Sequence, residues 1–396
     1  MTLELQHDLR IHRTPEERAR EGFVSSLRAY VLIDLAGGLR QAYETRAEPA
    51  FAATRGQAPA SGEEVHAALG DDPTFRFYSS IRVNAQEMVW ATAADAIERE
   101  RESLASRAAE IAGDAAPVLK ADFELPANVD GIEVHLAPGG YTFDAGDGDV
   151  AAGALYDNGL AVFSFGMMGA NLDDIGHSFA QTIRVRHPEF APRRILDLGC
   201  TIGHNTSAWK SAYPNAEVTG VDVSAPALRY AAARSKSQGL DVRYEQMNAT
   251  QLDYPDESFD VVFSSMFLHE LPPEDIRAVM REARRVLKPG GLMLHMELPP
   301  NDHLPPFDAF YLDWDSYYNN EPFYKAFRDL NYHGLCTEAG FASDAAFEFV
   351  TPQYTYMDPE DFRAAQSEEK GVDSDTGRLS NHLEWFGFGA WKEAAA

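Results

Sequence analysis

The sequence predicts an α/β protein in which a doubly wound, mostly parallel sheet of seven strands follows an N-terminal, mainly helical domain. Two observations support this fold class. Apolar residues recur at helical spacing through residues 1–115, and after residue 171 short apolar runs alternate with helical patterns. Strands that alternate with helices are typical of a parallel sheet covered by helices on both faces. We therefore expect a helical domain at 1–115, a strand-containing connector at 116–170 and the α/β domain at 171–396.

Two long helices are expected in the N-terminal domain. Thr14 and Glu17 flank Pro15 in a capping-box pattern, and Asp72 followed by Pro73 marks the start of a second helix. Each helix has an apolar side, which must pack against another surface. The apolar positions are Phe23, Leu27, Tyr30, Val31 and Leu35 in the first helix, and Phe77, Ile81, Met88, Val89 and Trp90 in the second.

Turn signals and extended patterns divide the rest of the chain. A loop rich in Ala, Gly and Pro is expected at about residues 48–62, and the connector is expected to hold strands at 118–125 and 132–136. A segment at 299–332, rich in Pro, Asp and aromatic residues, is expected to form an insertion after the fifth strand of the α/β domain. The strands of that domain are predicted at residues 194–198, 217–221, 241–246, 259–264, 291–296, 345–350 and 384–391.

Charge and cysteine content exclude several functions. The 34 Lys and Arg residues and 62 Asp and Glu residues give a net charge of −28, which repels phosphate backbones, so nucleic acids and anionic membranes are not expected as partners. Cys200 and Cys336 are too few for a disulfide framework or a thiolate cluster, and no metal is expected. No apolar run approaches the roughly 18 residues that span a bilayer, and the first residues lack a targeting pattern. We therefore expect a cytoplasmic protein.

A glycine-rich turn carries the strongest functional signal. The segment from Asp197 to Gly203 reads DLGCTIG, a buried strand that runs into a turn and then into a helix, and such a turn lets a ligand approach the backbone. Asp222 ends the next strand about twenty residues later, where a carboxylate can accept both hydroxyl groups of a ribose. Gly199 and Gly203 lack the G-x-G-x-x-G spacing of dinucleotide-binding sites, which disfavours a dehydrogenase.

These motifs resemble those of the class I S-adenosylmethionine-dependent methyltransferases of the small-molecule type. The matching segments occur in the family's order between about residue 171 and residue 340. The DLGCTIG segment is similar to the family's loop under the methionine part of the cofactor, and Asp222 to its ribose-binding acid. The segments 247–250 (MNAT), 259–262 (FDVV) and 285–291 (RVLKPGG) are similar to its adenine contact, its fourth strand and its turn into the fifth strand. The resemblance implies S-adenosyl-L-methionine as the cofactor and a Rossmann-like fold. It implies cofactor contacts at Asp197, Gly199, Cys200, Thr201, Gly203, Asp222, Val223, Asn248, Ala249, Ser264 and Met266.

Two positions depart from the family pattern. Thr201 replaces the usual middle glycine of the loop, and Asn248 replaces an Asp that often binds the adenine amino group, although an amide oxygen can accept the same hydrogen bond. Structural alternatives exist for the two acids. Asp197 can satisfy loop amides, and Asp222 can cap the following helix.

A small-molecule acceptor is favoured. Methyltransferases that act on nucleic-acid bases or glutamine usually carry an Asn/Asp-Pro-Pro-aromatic run after the fourth strand, where this chain has SSMF at residues 264–267, and two cysteines do not suffice for arsenite methylation. Oxygen is the preferred acceptor atom, with sulfur, nitrogen or carbon as alternatives and a non-catalytic cofactor-binding protein as a further one. In this family, N-terminal helical additions often form a homodimer or close over the substrate.

Candidate catalytic residues follow the fourth and fifth strands. His269 follows the fourth strand, and His295 and Glu297 lie at the end of the fifth strand, where alternation places both side chains on one side as a conceivable proton-handling pair. The resemblance leaves packing or cofactor contact as the alternative for His269, and structural hydrogen bonding is the alternative for His295 and Glu297. The insertion supplies aromatic and acidic side chains that suit a ring system or a cation. The candidate substrate contacts are Asp313, Trp314, Phe310 and Tyr156.

Overall fold

A sheet of seven strands, in the order β3-β2-β1-β4-β5-β7-β6, runs through the second half of the chain, as described by a computed structural model covering residues 5–146, 148–366 and 384–394. Strands β1 to β5 pair in parallel, and β7 pairs antiparallel with both β5 and β6. The fold class predicted from the sequence is confirmed. The strands are β1 (Arg194–Leu198), β2 (Glu217–Asp222), β3 (Arg243–Gln246), β4 (Phe259–Ser265), β5 (Leu287–Glu297), β6 (Ala346–Pro352) and β7 (Glu384–Trp391).

Continuous apolar runs form the central strands because helices cover both faces of the sheet. Ile195, Leu196 and Leu198 are fully buried in β1, and Val261 and Val262 are fully buried in the neighbouring β4. The strand order reverses between β1 and β4, and the connections that leave these strands diverge. This divergence opens a crevice at the carboxyl ends of the strands, which is the usual ligand site of such sheets.

Helices form the first part of the chain, in agreement with the sequence prediction. Helix α1 (Pro15–Tyr30) begins at the predicted capping box, in which Thr14 and Glu17 each accept a hydrogen bond from the other's backbone N–H, and Asp72 caps the helix that starts at Pro73. The loop predicted at residues 48–62 is wrong in its first half. The remaining helices are α2 (Ala36–Ala42), α3 (Glu48–Arg55), α4 (Gly62–Leu69) and α5 (Pro73–Ala112).

The predicted apolar faces of α1 and α5 are partly wrong. Phe23 and Tyr30 of α1 are 59% and 52% exposed, and Phe77 of α5 is 60% exposed. The buried residues of α1 are instead Glu21, Val24 and Arg28. The guanidinium of Arg28 finds hydrogen bonds inside the protein, and Glu21 pairs with Arg13. Apolar periodicity alone does not reveal a buried arginine.

The helical run Pro15–Arg55 is continuous because π-helical turns join its three helices. Its most apolar 18-residue window has a mean hydropathy of 1.2, so the run is long and apolar enough to span a membrane by length and composition alone. The expectation that no such run exists is therefore wrong. Of this window, 33% is buried, and α1 packs against α5.

The two strands predicted in the connector are absent among its described residues. Val118 forms only an isolated bridge with Glu245 at the edge of β3, and Val134–Leu136 is a short 3-10 turn. His135 and Leu136 have positive φ angles of 57° and 60°, which a strand does not accommodate. The connector also contains helix α6 (Ala151–Phe163).

The remaining helices cover the sheet and form the insertion after β5. The insertion shares an apolar core with the N-terminal domain, since Phe307 and Trp314 pack in one cluster with Val65 and Phe75. The two parts of the chain are therefore packed together beside the carboxyl edge of the sheet. These helices are α7 (Asp174–Arg186), α8 (His204–Ala212), α9 (Ala225–Ser237), α10 (Pro273–Val286), α11 (Pro306–Tyr318), α12 (Tyr324–Arg328), α13 (Tyr332–Glu338) and α14 (Pro359–Ala365).

Two glycines with nearly equal positive φ angles allow the packing of the loop after β1 to be tested. Gly203 has a φ of +71°, and a Cβ there would lie 2.0 Å from the hydroxyl of Tyr244, whereas Gly239 has a φ of +73° and nothing within 4 Å. We expect Gly239→Ala to cost about 1–2 kcal/mol from the left-handed conformation alone. Gly203→Ala should cost about 1–3 kcal/mol more through overpacking. Chemical denaturation measures both free energies of unfolding, and equal losses would contradict this packing.

Candidate active site

A cavity of about 320 Å³ lies at the carboxyl ends of β1, β2 and β4. Its wall combines the glycine-rich loop and the end of β2 with side chains from α1, α5, the connector and α11. The volume falls in the usual range for small-molecule sites. The crevice predicted by the strand order is therefore closed over by the N-terminal domain and the insertion.

The loop after β1 is held in a left-handed conformation. Gly199 and Thr201 have φ angles of 65° and 46°, and a Cβ at Gly199 would lie 2.3 Å from the ring of Phe267. Thr201 thus adopts a conformation that normally favours glycine. The backbone N–H of Thr201 donates to Asp222 Oδ2 at 2.9 Å, which ties the loop to the end of β2.

Asp222 is held in place by backbone groups and lines the cavity. Its Oδ2 accepts from Thr201 N and its Oδ1 accepts from Ser224 N, each at 2.9 Å, so lone pairs remain on both oxygens for further donors. Burial raises the pKa of this carboxyl, and the backbone donors oppose that rise. The alternative that Asp222 caps α9 is wrong, because the N-cap is Ser224.

Asp197 is buried beneath the loop and lines the cavity. Its Oδ2 accepts a hydrogen bond of 2.5 Å from the hydroxyl of Thr206 in α8. This bond comes from a side chain, and not from the loop amides considered as the structural alternative. Burial raises the pKa of Asp197 to about 7, and the nearby charge of Asp222 adds to that rise.

Asn248 lines the cavity but uses its oxygen locally. Asn248 Oδ1 accepts from both the backbone N–H and the hydroxyl of Thr250 at 2.9 Å. Both lone pairs of the amide oxygen are therefore engaged, and Asn248 offers N–H donors to a ligand. The expectation that this oxygen accepts a hydrogen bond from the ligand is not supported by this arrangement.

Most of the residues predicted to contact the cofactor meet at this cavity. Gly203 and Ser264 are the exceptions, because Gly203 packs on Tyr244 and Ser264 bonds the imidazole of His295. Tyr141 was not predicted as a site residue, because it lies far upstream of the cofactor motifs in the chain. The backbone carbonyl of Tyr141 accepts a hydrogen bond from Ser224 Oγ at 2.6 Å, and this contact holds Tyr141 beside the site. The predicted residues that line the cavity are Asp197, Gly199, Cys200, Thr201, Asp222, Val223, Asn248, Ala249 and Met266, and further lining residues next to these motifs are His204, Asn205, Met247, Thr250, Ser265 and Phe267.

His269 lines the cavity and is oriented by Glu297. The buried Glu297 accepts through Oε1 from the backbone N–H groups of Phe267 and Leu268, at 2.9 and 2.7 Å, and pairs through Oε2 with His269 Nδ1 at 2.6 Å. Burial by itself would lower the pKa of His269, but Glu297 and neighbouring carboxylates outweigh burial and raise the pKa to about 9. Nε2 is the ring nitrogen that remains for a ligand.

The predicted pair of His295 and Glu297 does not form. His295 is fully buried outside the cavity lining and shares a hydrogen bond of 2.7 Å with Ser264 Oγ on β4, its partner in the strand register. Burial lowers the pKa of His295 to about 3. Strand alternation places both side chains on one side of β5, but neighbouring strands and loops supply nearer partners for each.

A second buried cluster adjoins His269 and has no counterpart in the sequence analysis. His135 Nδ1 lies 3.2 Å from Glu321 Oε1, and Tyr141 donates to Glu270 Oε1 at 3.2 Å. Glu270 and Glu321 lie 3.8 and 4.0 Å from His269 Nε2. Burial raises the pKa of Glu270, whereas His135 outweighs burial at Glu321 and lowers its pKa. Among the described residues, no group of His, Cys, Asp and Glu side chains is suited to hold a metal ion.

Helix α11 presents a different face to the cavity than predicted. Tyr311, Leu312 and Asp315 line the cavity, as does the predicted Tyr156. The predicted contacts that do not line it are Phe310 and Trp314, which pack in the core shared with the N-terminal domain, and Asp313, which pairs with Arg328 at 3.0 Å.

Residues 195–291 match the protein family described as a methyltransferase domain. The chain is 36% identical over 130 residues to a demethylmenaquinone methyltransferase of Thermus thermophilus, covering 33% of this chain and 56% of that protein. It is 40% identical over 107 residues to a 27-O-demethylrifamycin SV methyltransferase of Amycolatopsis mediterranei, covering 26% of this chain and 38% of that protein. The chain thus spans about half the length of the curated relatives that it matches.

A solved structure of the YcgJ protein of Bacillus subtilis matches 55% of this chain and 99% of its own, at 21% identity and a TM-score of 0.38. The resemblance to methyltransferases noted in the sequence is confirmed for the domain at residues 195–291.

The pairing of His269 with Glu297 predicts a change in titration. In Glu297→Gln, the amide oxygen can still accept from the backbone N–H groups of Phe267 and Leu268, while the charge beside Nδ1 is lost. We expect the pKa of His269 to fall from about 9, because Glu297 makes the largest contribution that raises it, and Glu270 and Glu321 oppose burial only in part. Titration of the imidazole resonances by NMR measures this shift, with the exposed Glu274→Gln as the control. An unchanged pKa would contradict the pairing.

Proposed function

We propose that the whole chain is an S-adenosylmethionine-dependent methyltransferase that acts on an oxygen of a small-molecule acceptor. The methyltransferase domain at residues 195–291 supports the reaction class. The observation that carries the choice of oxygen is the imidazole of His269, which lines the cavity and is oriented by a buried carboxylate. A hydroxyl acceptor is helped by a base that removes its proton. A thiolate or a neutral amine can react when it is only held in position against the methyl group.

The residues at the cavity fit this cofactor. Asp222 keeps free lone pairs on both oxygens for the ribose hydroxyls, and the left-handed loop at Gly199 and Thr201 leaves its backbone accessible to a ligand. Asp197 and Asp222 supply negative charge beside a ligand that carries a sulfonium and an ammonium group. Asn248 and Ala249 would lie against the adenine. When bound, S-adenosylmethionine supplies an electrophilic methyl group.

His269 is proposed to take the proton of the acceptor hydroxyl. Nδ1–H donates to Glu297, which leaves Nε2 of the neutral imidazole as the accepting nitrogen. A base with a pKa of about 9 is well matched to a phenolic hydroxyl, whose own pKa is about 10. The chain's further contribution is to hold the acceptor in line and to exclude water.

The N-terminal helices are proposed to cover the acceptor. Arg82 and Trp90 of α5 line the same cavity as Tyr311 and Leu312 of the insertion, so both parts of the chain contribute to its closure. A homodimer through the N-terminal helices remains a proposal, supported by the exposed side chain of Phe23 and by the other large exposed apolar side chains there. A cytoplasmic location and the absence of nucleic-acid and membrane partners also remain proposals.

Removal of the Asp222 carboxylate tests cofactor binding. We expect the native chain to bind S-adenosylmethionine and S-adenosylhomocysteine with micromolar affinity, and Asp222→Ala to weaken both at least about 100-fold, because charge-assisted bonds to the ribose are lost. Calorimetric titration measures the dissociation constants. Asp241→Ala, an exposed acid in the same domain, is the control. If the folded native chain binds neither compound, the proposed function is wrong.

The pH dependence of the reaction tests the role of His269. The base is active when neutral, so kcat/KM should rise with pH up to about 9 and then level off. His269→Asn should lower the rate by about 10²–10⁴-fold and remove this dependence. Release of S-adenosylhomocysteine with phenolic acids as acceptor probes measures the rate, and the exposed His333→Asn is the control. A rate that is independent of pH and of His269 would favour a sulfur, nitrogen or carbon acceptor.

A further inference from the structure

Two buried arginines lie at the end of the cavity formed by the N-terminal helices. Arg28 of α1 and Arg82 of α5 are 1% and 2% exposed, and both line the cavity. Both guanidinium groups donate to the same amide oxygen, Gln86 Oε1. Charged side chains are almost never fully buried unless they are paired, so each arginine requires an electrostatic partner.

Arg82 has such a partner. Its Nε and Nη2 donate to the two carboxylate oxygens of Asp315 at 2.7 and 3.0 Å, a bidentate geometry that compensates one positive charge. Nη2 also donates to Asn319 Oδ1 at 3.2 Å. Every nitrogen of Arg82 is therefore engaged, and Asp315 is already committed.

Arg28 has no carboxylate partner among the described residues. Its Nε donates to the carbonyl oxygen of Phe163 at 3.3 Å, its Nη1 donates to Gln86, and its guanidinium lies over the ring of Phe163 at 3.8 Å. These neutral contacts do not cancel its charge. Burial, and then the charge of Arg82, lower the pKa of Arg28 well below its ordinary value, although a guanidinium stays charged in proteins. Arg28 and Arg82 together carry two positive charges, and Asp315 compensates one of them. One positive charge therefore remains at the cavity wall.

Arg28 is linked to the reacting end of the cavity by a short chain of contacts. Gln86 Nε2 donates to the carbonyl oxygen of His135 at 2.9 Å, and the His135 ring contacts Glu321, which lies 4.0 Å from His269 Nε2. Aromatic side chains line the same cavity. These are Trp90, Tyr141, Phe163 and Tyr311.

We propose that Arg28 binds a carboxylate group of the methyl acceptor, which makes the acceptor an aromatic or similarly flat monoanion with its nucleophilic atom toward His269. This inference rests on the proposed function. One uncompensated charge matches a carboxylate, whereas a phosphate dianion would leave an excess negative charge in a buried site. The guanidinium also matches the planar geometry of a carboxylate.

Binding of benzoate and of its neutral isostere benzamide tests this proposal without methyl transfer. We expect the native chain to bind benzoate at least about tenfold more tightly than benzamide or inorganic phosphate, since the charge-assisted bond is absent from the amide. Arg28→Met should remove the preference for benzoate. Arg20→Met is the matched control, because Arg20 lies on the same helix with a side chain that is 51% exposed. NMR titration of each ligand measures the dissociation constants.

Equal binding of benzoate and benzamide by the native chain, tighter binding of phosphate, or an unchanged preference in folded Arg28→Met would each overturn the proposal. If Arg28→Met does not fold, Arg28→Lys decides. It retains the charge but not the fork geometry, and benzoate should bind several-fold more weakly; an unchanged affinity would overturn the proposal.

Titration of the same samples with S-adenosylhomocysteine separates the two proposals. Binding of S-adenosylhomocysteine without a benzoate preference overturns only the carboxylate site. A benzoate preference without S-adenosylhomocysteine binding overturns the proposed function.

Discussion

The reversal of strand order between β1 and β4 is the constraint on which the cavity depends. β1 pairs with β2 on one side and with β4 on the other, so the chain leaves these strands in diverging directions and a crevice remains at their carboxyl ends. Asp197, Asp222 and Met266 come from three different strands or the turns that follow them, and they line one cavity for this reason.

Ion pairs between distant parts of the chain determine how the crevice is closed. Two of the pairs join the connector or α5 to the insertion, and the third joins the end of β5 to the loop that follows its neighbour β4. Removal of one partner from a buried pair is costly, so the partners depend on one another. The pairs are His269 with Glu297, His135 with Glu321, and Arg82 with Asp315. Outside these pairs, Arg28 leaves a positive charge at one part of the cavity wall, and Asp197 and Asp222 contribute acidic groups at another. Partial burial strengthens the electrostatic interaction of such groups with a bound ligand.

The differences between prediction and structure have definite physical causes. Trp314 was expected at the substrate and instead packs in the core shared with the N-terminal domain. The packing of α11 against the N-terminal helices determines which of its faces meets the cavity. In α1, Phe23 is exposed and Arg28 is buried, since Gln86 of α5 and the backbone of Phe163 supply hydrogen-bond acceptors that no local pattern reveals. Local periodicity identifies a helix, but not the surface against which it packs.

Elements that depend on local chemistry could be predicted from the sequence. The capping box at Thr14, the buried strand before Gly199 and the acid at Asp222 are set by neighbouring residues, so they could be read directly. The partner of His269 and the unpaired charge of Arg28 could not be predicted in this way. Both depend on groups that lie about 30 to 135 residues away in the chain, and their pairing follows from how helices and strands pack, which local sequence does not specify.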